Sequence, residues 1–369
     1  MRAATSFLGA GASSRSPPRG PSARRSASAT PPPVASRHPS SNPDKIAGRP
    51  ARVLLTNDDG VDSSLLVPFI KALHAVGGAA GQPGFDLRVL VPDAERSWSS
   101  KVMSRFTSVE MRATTRDGHA VSTLSGTPAD CAALGCHHMW ERDQAASTQP
   151  DLVVSGINLG ANFGTAFFLS SGTVGAALEG AIAGVPAVAV SLILGDDARA
   201  AMAAGREPAD TAGAVAASAR VVLAAVKALR RGAWPAGVDV INVNLPAGVL
   251  ADTPTSVTRV GRSRYLECFK REDEEAEPNG GAAAGSGGGG GDGSVGEFVA
   301  RFQHKPSGMS WEDVMEGTDV FAVKSGRISV TPVTLEGVCS GAGAGAADLS
   351  WLECDVGAGE PVAPGTLPR

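Results

Sequence analysis

The hydrophobic pattern from residue 51 onwards alternates short apolar runs with longer amphipathic stretches. The runs are rich in Val and Leu and are followed at once by polar residues, as expected for strands buried on both faces. These strands are Val53–Leu55, Leu87–Val91, Leu152–Val154, Val188–Leu192 and Val240–Val243. Helical spacing predicts helices at Leu65–Val76, from Thr127, from Ser171 and at Asp210–Leu229. This alternation predicts an α/β fold with a doubly wound, mostly parallel sheet.

Two regions depart from the alternation and predict extra β structure. Val109–Arg112 and Ala120–Leu124, joined by Arg116-Asp117-Gly118, predict a hairpin. After Pro246 the chain breaks into short β-like pieces, namely Ser256–Val260, Glu297–Phe302, Val320–Val323 and Ile328–Val333. We therefore divide the folded chain into an α/β core over 50–248 and a β-rich extension over 249–335. The Gly-rich stretch 270–296 is expected to be a flexible insertion, and the Gly/Ala-rich tail 336–369 to be partly disordered.

The first 49 residues have a composition of their own. They contain seven Arg and one Lys against one Asp, with abundant Ser, Ala and Pro and no continuous apolar segment. Such a composition is typical of an organelle transit peptide, and the Ser and Pro content favours the chloroplast over the mitochondrion. A merely disordered basic tail is the alternative.

Composition excludes several classes of function. A net charge of -4 and 5% aromatic residues argue against a nucleic-acid partner. Five cysteines without CxxC spacing argue against a zinc site or a disulfide scaffold. No membrane span is expected, because Gly184 and Pro186 interrupt the most apolar stretch, Gly180–Leu194.

Adjacent acids follow the first predicted strand, at Asp58 and Asp59. Gly60 permits a sharp turn, so both carboxylates can point into the crevice at the carboxyl ends of the strands. Adjacent carboxylates repel, and a hard divalent cation is a common way to hold them together. The alternative is an ordinary Asn-Asp-Asp-Gly turn.

Polar residues also follow the next two predicted strands. Ser97 comes after the second strand and Asn158 after the third, so both are expected near Asp58 and Asp59. This set offers only oxygen ligands, which suit Mg²⁺, Mn²⁺ or Ca²⁺ better than zinc. The sequence thus favours a divalent-metal site at this edge of the sheet.

Ser171-Gly172-Thr173 opens a predicted helix behind a glycine-rich loop. Free backbone N–H groups at a helix N-terminus, with hydroxyls beside them, form an anion site. Beside a metal that polarises a phosphoryl oxygen, this predicts phosphomonoester hydrolysis. Simple helix capping is the alternative for these hydroxyls.

Together these motifs resemble the survival protein E (SurE) nucleotidases, and the resemblance runs from about Ala51 to Val333. The matching segments are Leu54–Val61 (LLTNDDGV), Val91–Ser97 (VPDAERS), Gly126–Cys131 (GTPADC), Val153–Gly164 (VVSGINLGANFG), Ser171–Val174 (SGTV), Ile241–Pro246, Val257–Arg259, Gly317–Asp319 and Ile328–Pro332. The resemblance implies a Rossmann-like SurE fold whose C-terminal β-rich extension mediates assembly into a homodimer or homotetramer.

The same resemblance implies a 5'-nucleotidase and acid phosphatase that converts nucleoside monophosphates to nucleosides and phosphate. It implies one Mg²⁺ or Mn²⁺ per subunit, with Asp58 and Asp59 also catalytic. The implied metal ligands are Asp58, Asp59, Ser97 and Asn158. The implied phosphate- or substrate-binding residues are Asn57, Asn162, Ser171, Gly172 and Thr173, with Asn57 and Gly60 also shaping the loop.

Some positions depart from the family pattern. Ser170 stands where the family commonly has tyrosine, and Trp98 where glycine is common. Asp62-Ser-Ser64 replaces the usual small and proline residues, and the Gly-rich insertion lies in the region used for assembly. None of the four implied metal ligands is changed.

Two other functions compete with a phosphatase on this fold. A dinucleotide-dependent oxidoreductase is disfavoured because no GxGxxG follows the first strand. A non-catalytic nucleotide- or metal-binding module on the same fold stays open. His137 and His138 are expected to be ordinary surface or core residues; Arg259 and Arg264 could approach a phosphate or pair with acids at a subunit contact.

Overall fold

The computed structural model describes residues 44, 46–78, 84–141, 143, 149–204, 211–271, 300–305 and 308–335. The strands are β1 (Ala51–Thr56), β2 (Phe85–Pro92), β3 (Met111–Arg116), β4 (His119–Leu124), β5 (Leu152–Leu159), β6 (Ala187–Leu192), β7 (Val240–Leu245), β8 (Thr255–Val257), β9 (Ser263–Tyr265), β10 (Phe269–Arg271), β11 (Phe302–His304), β12 (Met309–Trp311) and β13 (Ile328–Val333). The helices are α1 (Leu66–Gly77), α2 (Pro128–His138), α3 (Gly164–Ser170), α4 (Gly172–Ile182), α5 (Asp196–Ala203), α6 (Ala212–Arg230) and α7 (Asp319–Lys324).

A nine-stranded sheet in the order β3-β4-β2-β1-β5-β6-β7-β13-β8 forms the centre of the molecule. The strands β4, β2, β1, β5, β6 and β7 all run parallel. Two pairs, β3 with β4 and β13 with β7, are antiparallel, and β8 is parallel to β13. The predicted mostly parallel sheet and the predicted hairpin are both confirmed.

Helices cover both faces of this sheet. On β1, Val53 and Leu55 belong to the core that includes α1 and α6, whereas Leu54 belongs to the opposite core with α2 and α4. Side chains alternate between faces along a strand, so this division confirms a doubly wound sheet. The carboxyl ends of β1, β2 and β5 therefore open at one edge between the two helical layers.

Glycines bring α2 and α4 close to the sheet. A Cβ atom at Gly135 would lie 2.4 Å from Leu54 Cδ2, and one at Gly180 would lie 2.7 Å from Val153 Cγ2. Real Cβ atoms do not approach so closely, so a larger residue at either position would push its helix outward. The close packing predicted for the small residues of α4 is confirmed at Gly180.

Helix α6 corrects the expectation that no segment is long and apolar enough to cross a membrane. Its 19 residues have a mean hydropathy of 1.6 over their most apolar window, but 67% of that window is buried inside the protein. Its valines, alanines and leucines pack in the core beside α1. The apolar character of α6 thus has an explanation in core packing.

The folded chain begins before the expected boundary at residue 49. Ile46 is buried in the core, and Arg49 forms a bidentate ion pair with Asp151, with both N···O distances 2.8 Å. The end of the predicted disordered leader is therefore part of the fold. Residues 1–43, which carry the transit-peptide prediction, lie outside the described residues.

The C-terminal predictions had mixed outcomes. Val320–Val323 is not a strand but part of α7, whose first turn is capped by the Thr318 hydroxyl accepting from the Phe321 N–H. Three-residue spacing puts Val320 and Val323 on the same buried face of that helix. The strand at Ile328–Val333 is confirmed, and the one at Ser256–Val260 is confirmed in part as β8.

Other C-terminal predictions fall at the limits of the described chain. The expected insertion begins within β10, since Lys270 and Arg271 pair with β11, while 272–296 and the tail 336–369 lie outside the described residues. Of the predicted strand Glu297–Phe302, only its end is described, where Phe302 starts β11. Helices α3 and α5 and strands β9 and β12 were not predicted.

Candidate active site

A cavity of about 160 Å³ lies at the carboxyl ends of β1, β2 and β5. It is lined by Asp58, Ser97, Trp98, Asn158, Leu159, Gly160, Ala161, Asn162, Phe167, Ser170, Ser171 and Tyr265. Five of the nine residues predicted to act in catalysis or binding thus share one cavity. The crevice expected from strand topology is present.

The loop after β1 is a tight turn that aims its two acids. The side chain of Asn57 accepts the N–H of Gly60 and donates to the carbonyl of Gly60, both at 3.0 Å. Gly60 has φ +83°, and a Cβ there would lie 2.8 Å from the carbonyl carbon of Ala94. Only glycine permits this turn to lie against the loop after β2.

That contact brings Ser97 to the cavity. The N–H of Arg96 donates to the backbone carbonyl of Asp58 at 2.7 Å, which ties the two loops together. Ser97 is exposed at the cavity wall, and its hydroxyl donates to Glu95 at 2.7 Å. The Ser97 oxygen therefore keeps its lone pairs for a further ligand.

Asn158 enters from the end of β5, where the register against β6 shifts between Ser155 and Asn158. Its amide nitrogen donates to the Gly160 carbonyl at 3.0 Å, which leaves its side-chain carbonyl oxygen as a ligand atom. The next residue, Leu159, donates its N–H to Asp59 Oδ2 at 3.3 Å. Asp59 thus lies against the Asn158 segment at the cavity, although it is not among the lining residues.

Burial raises the pKa of both acids. The pKa of Asp58 rises chiefly through desolvation, against which the hydrogen bond from Thr173 acts. Desolvation, followed by repulsion from Asp58, raises the pKa of Asp59 to about 7. Among the described residues neither acid forms an ion pair. Asp58 is buried and Asp59 is half-buried, and two such adjacent carboxylates without a compensating cation fit a metal site chemically.

The polar atoms near Asp58 and Asp59 limit which metals would fit there. In the described part of the chain, no group of three or more His, Cys, Asp or Glu side chains is placed to hold a metal ion. A metal held by Asp58 and Asp59 would need neutral oxygens, which Ser97 and Asn158 supply, and such a set suits a hard divalent cation such as Mg²⁺, Mn²⁺ or Ca²⁺. His137 and His138 are exposed on α2, in agreement with their expected surface role.

Ser171 combines the two roles that the sequence left open. Its hydroxyl oxygen accepts the N–H of Val174 at 3.0 Å, which makes it the N-cap of α4. It is also buried at the cavity wall, where its hydroxyl proton remains available to an anion. Capping and ligand binding are therefore compatible at this residue.

The first turn of α4 lies directly against Asp58. A Cβ at Gly172 would be 2.9 Å from Asp58 Cβ and 2.7 Å from Ser99 Oγ. The Thr173 hydroxyl donates to Asp58 Oδ1 at 2.5 Å. The Ser99 hydroxyl is buried and has no hydrogen-bond partner among the described residues. No sequence pattern singles out Ser99.

Three of the predicted substrate-binding residues do not line the cavity, and their role toward substrate stays a prediction. Asn57 is buried, and its side-chain amide forms two hydrogen bonds with the backbone of Gly60. Thr173 is buried, and its hydroxyl donates its proton in a hydrogen bond to Asp58. Gly172 packs on Asp58 and does not line the cavity. All three shape the position of Asp58 or Asp59 and contact no open part of the cavity.

Asn162 lines the cavity as predicted, and buried polar side chains of the sheet fix it there. Its amide nitrogen donates to Ser191 Oγ at 2.7 Å, and its backbone N–H donates to Asn244 Oδ1 at 2.9 Å. Its carbonyl accepts from Asn242 Nδ2 at 2.9 Å. The sequence of Ile241–Leu245 indicates such partners, because asparagines inside a buried strand must form hydrogen bonds with other polar groups.

Arg259 and Arg264 were each expected either to approach a phosphate or to pair with an acid. Arg259 pairs with Asp313, and Arg264 pairs with Glu312 at 2.7 Å. Both acids belong to the same chain. Neither arginine lines the cavity, so their observed role is to pair with acids within the extension.

Comparisons with known proteins agree with this geometry. The family model described as Survival protein SurE matches residues 53–267. Proteins named 5'-nucleotidase SurE are 31% identical in Methanocella arvoryzae, over 77% of this chain and 92% of that protein, and 33% identical in Methanothrix thermoacetophila, over 77% and 93%. A crystal structure of the SurE protein from Aquifex aeolicus is similar with a TM-score of 0.51 and 29% identity, over 77% of this chain and 93% of that one.

Proposed function

We propose, from the premise that this chain belongs to the survival protein SurE family, that it is a divalent-metal-dependent phosphomonoesterase acting on nucleoside 5'-monophosphates. The products would be a nucleoside and inorganic phosphate, which makes the protein a 5'-nucleotidase with acid phosphatase character. One observation carries the proposal: of two adjacent acids without a compensating cation, the buried Asp58 lies against the N-terminus of α4, a helix start suited to bind an anion.

The metal half of the site consists of oxygen donors from three strand ends. Asp58 and Asp59 would supply the negative charge, and Ser97 and Asn158 the neutral oxygens. A bound Mg²⁺ or Mn²⁺, one per subunit, would polarise a phosphoryl oxygen and lower the pKa of a bound water. Thr173 and Gly60 keep the acids in place through the contacts described above.

The phosphate half belongs to α4 and the loop before it. Ser171 presents a hydroxyl at the cavity wall, and the helix N-terminus favours a negatively charged group. Asn162 lines the same wall, held in place by the asparagines of β7. Placing phosphate between this wall and the two acids would orient it for hydrolysis.

Release of phosphate from a panel of nucleoside monophosphates tests the proposal. The full chain would be assayed with Mg²⁺, with Mn²⁺ and with EDTA, beside Asp59→Asn and the surface control Asp252→Asn. We expect metal-dependent release that EDTA and Asp59→Asn abolish and Asp252→Asn preserves. Release that persists in EDTA would contradict the metal-dependent mechanism.

The alternative is a nucleotide- or metal-binding module without catalysis. Calorimetric titration with Mn²⁺ and with AMP separates the two functions. Binding of both ligands, with no phosphate released from any monophosphate, would favour the module. Loss of Mn²⁺ binding in Asp59→Asn would still locate the metal in that case.

We also propose assembly into a homodimer or homotetramer through the region after Pro246. Exposed aromatic side chains of the β10–β11 pair, Phe269 and Phe302, support this, because large exposed apolar groups mark interaction surfaces. Light scattering coupled to size exclusion measures the mass. A Phe269→Ser, Phe302→Ser double variant should shift it toward the monomer, whereas a monomeric wild-type protein would contradict the proposal.

The N-terminal segment is proposed to be a chloroplast transit peptide, with the mitochondrion as the alternative. The family match starts only at residue 53, after the Arg- and Ser-rich segment. Residues 1–45 fused to a fluorescent protein should direct it into chloroplasts of plant cells. Accumulation in mitochondria would support the alternative, and a diffuse cytosolic signal would contradict organelle targeting altogether.

A further inference from the structure

Part of the cavity is lined by aromatic side chains, in contrast to the part that is lined by acidic and hydroxyl groups. Trp98, Phe167 and Tyr265 all line the cavity that Asp58 and Ser171 also line. The cavity therefore has a polar floor, suited to phosphate, beside an aromatic wall. A nucleoside monophosphate has the same division into a charged group and a flat aromatic one.

Trp98 is held in an unusual position. Its backbone has φ +61°, a left-handed conformation that is rare for a bulky residue. Its indole lies with ring centroids 5.0 Å from Tyr265 and 4.8 Å from His304, the latter edge to face. Despite these contacts it is 46% exposed. Strained backbone and an exposed tryptophan together are uncommon unless the side chain serves a binding site.

Tyr265 supports this arrangement from β9. Its hydroxyl donates to Ser170 Oγ at 2.9 Å, and its ring lies 5.6 Å from Phe167. Because residue 170 is a small serine, Tyr265 can reach this point of the wall. Tyr265 thus holds one side of Trp98 while leaving much of the indole available.

The size of the cavity indicates where the base would lie. At about 160 Å³ it is smaller than a usual pocket for a whole nucleotide-sized ligand, so a phosphate held at Ser171 would leave the base at the rim of the cavity. Trp98 is the exposed aromatic side chain at that rim. Stacking of bases on aromatic rings is a frequent and base-tolerant mode of recognition.

We infer that Trp98, positioned by Tyr265, is the surface on which the substrate's nucleobase stacks. This inference rests on the proposed nucleotidase function and names its substrate class. Because stacking needs a flat ring, monophosphates that carry a base are preferred over phosphomonoesters that have none.

Steady-state kinetics on AMP and on ribose 5-phosphate test the inference, since the two differ only in the base. Trp98→Ala should raise KM for AMP about tenfold and leave kcat and the KM for ribose 5-phosphate unchanged. Trp98→Phe should restore most of the affinity. Phe106→Ala, which removes an exposed aromatic side chain from the same loop outside the cavity, is the matched control.

Equal losses on both substrates would overturn the inference, because they would mean that Trp98 only supports the fold. Unchanged KM for AMP in Trp98→Ala would overturn it as well. If the wild-type protein hydrolyses neither substrate, the proposed function fails, and quenching of tryptophan emission by adenosine still decides about stacking. Quenching that is lost in Trp98→Phe would support stacking, and quenching that persists would contradict it.

Discussion

The Thr173 hydroxyl donates a 2.5 Å hydrogen bond to Asp58 Oδ1, and both residues are buried. Thr173 belongs to the first turn of the helix proposed to bind phosphate, and Asp58 to the pair proposed to bind metal. The two halves of the site are thereby joined by a direct contact. A change in the first turn of α4 would therefore alter the position or the pKa of Asp58 directly, even when no substrate is bound.

Thr173→Val tests this contact. Valine keeps the shape but removes the donor, so the charged form of Asp58 loses a stabilising hydrogen bond. Because residues that orient metal ligands typically contribute strongly to affinity, we expect Mn²⁺ binding to weaken about tenfold. Calorimetric titration at pH 7 measures this. Thr173→Ser keeps the hydroxyl and should bind as the wild type does; equal affinity in the valine variant would show the bond to be dispensable.

Gly172→Ala should damage activity more than stability. The added Cβ would meet Asp58 and Ser99 at under 3.0 Å, so the acid must shift. Displacing a reacting group by about 1 Å can cost on the order of 100-fold in rate. Gly195→Ala is the control, since its Cβ would make only an ordinary contact, 3.6 Å from Ala247. Wild-type kcat/KM in Gly172→Ala would mean that Asp58 tolerates displacement.

The raised pKa of Asp59 predicts how the metal-free protein responds to pH. With a pKa of about 7 when folded and 3.8 as the reference, Asp59 binds more protons folded than unfolded between these values. Stability should therefore fall as pH rises from 4 to 7, by up to about 1.4 kcal/mol per pH unit from this group. Urea unfolding in EDTA at several pH values measures the slope.

Asp59→Asn is the reference for that slope. Asparagine does not titrate, so the stability of the variant should fall less steeply than that of the wild type over the same range of pH. Protons compete with metal for Asp59, so metal affinity of the wild type should rise with pH toward 7. Identical slopes for the two proteins would show that Asp59 titrates normally.

Ile46→Ala examines the early start of the fold. Ile46 is 1% exposed within the core, and truncation of such a side chain typically costs about 2 to 5 kcal/mol. Ile182→Ala, at a site 56% exposed, should cost well under half as much. Urea unfolding of both variants compares them. Similar small losses would mean that the segment before Arg49 is not part of the stable core.

The central sheet could be predicted because its strands are buried on both faces. Short apolar runs such as Val53–Leu55 and Val188–Leu192 are typical of strands buried on both faces, and the polar residues that follow such strands indicated the position of the site. Asp58, Ser97 and Asn158 were predicted in this way to lie together, and they line one cavity. Ser171 was found through the chemistry of helix starts.

Other features depend on contacts that local sequence does not record. Val320–Val323 reads equally as strand or helix, and the choice of helix follows from burial beside Phe163. Thr173 was assigned to phosphate because its hydroxyl is adjacent to Ser171, yet the helix turns it toward Asp58. Trp98 and Tyr265 are 167 positions apart, so the contact between their rings could not be predicted from the sequence.

The position of β13 determines when the sheet can be completed during synthesis. It pairs with β7 on one side and β8 on the other, although β7 ends at Leu245 and β13 begins only at Ile328. Until the ribosome has made that last strand, β7 is an unprotected edge that can pair with another chain. A nascent or prematurely terminated product ending in the Gly-rich stretch would therefore be prone to aggregate, and chaperone protection would matter most at that stage.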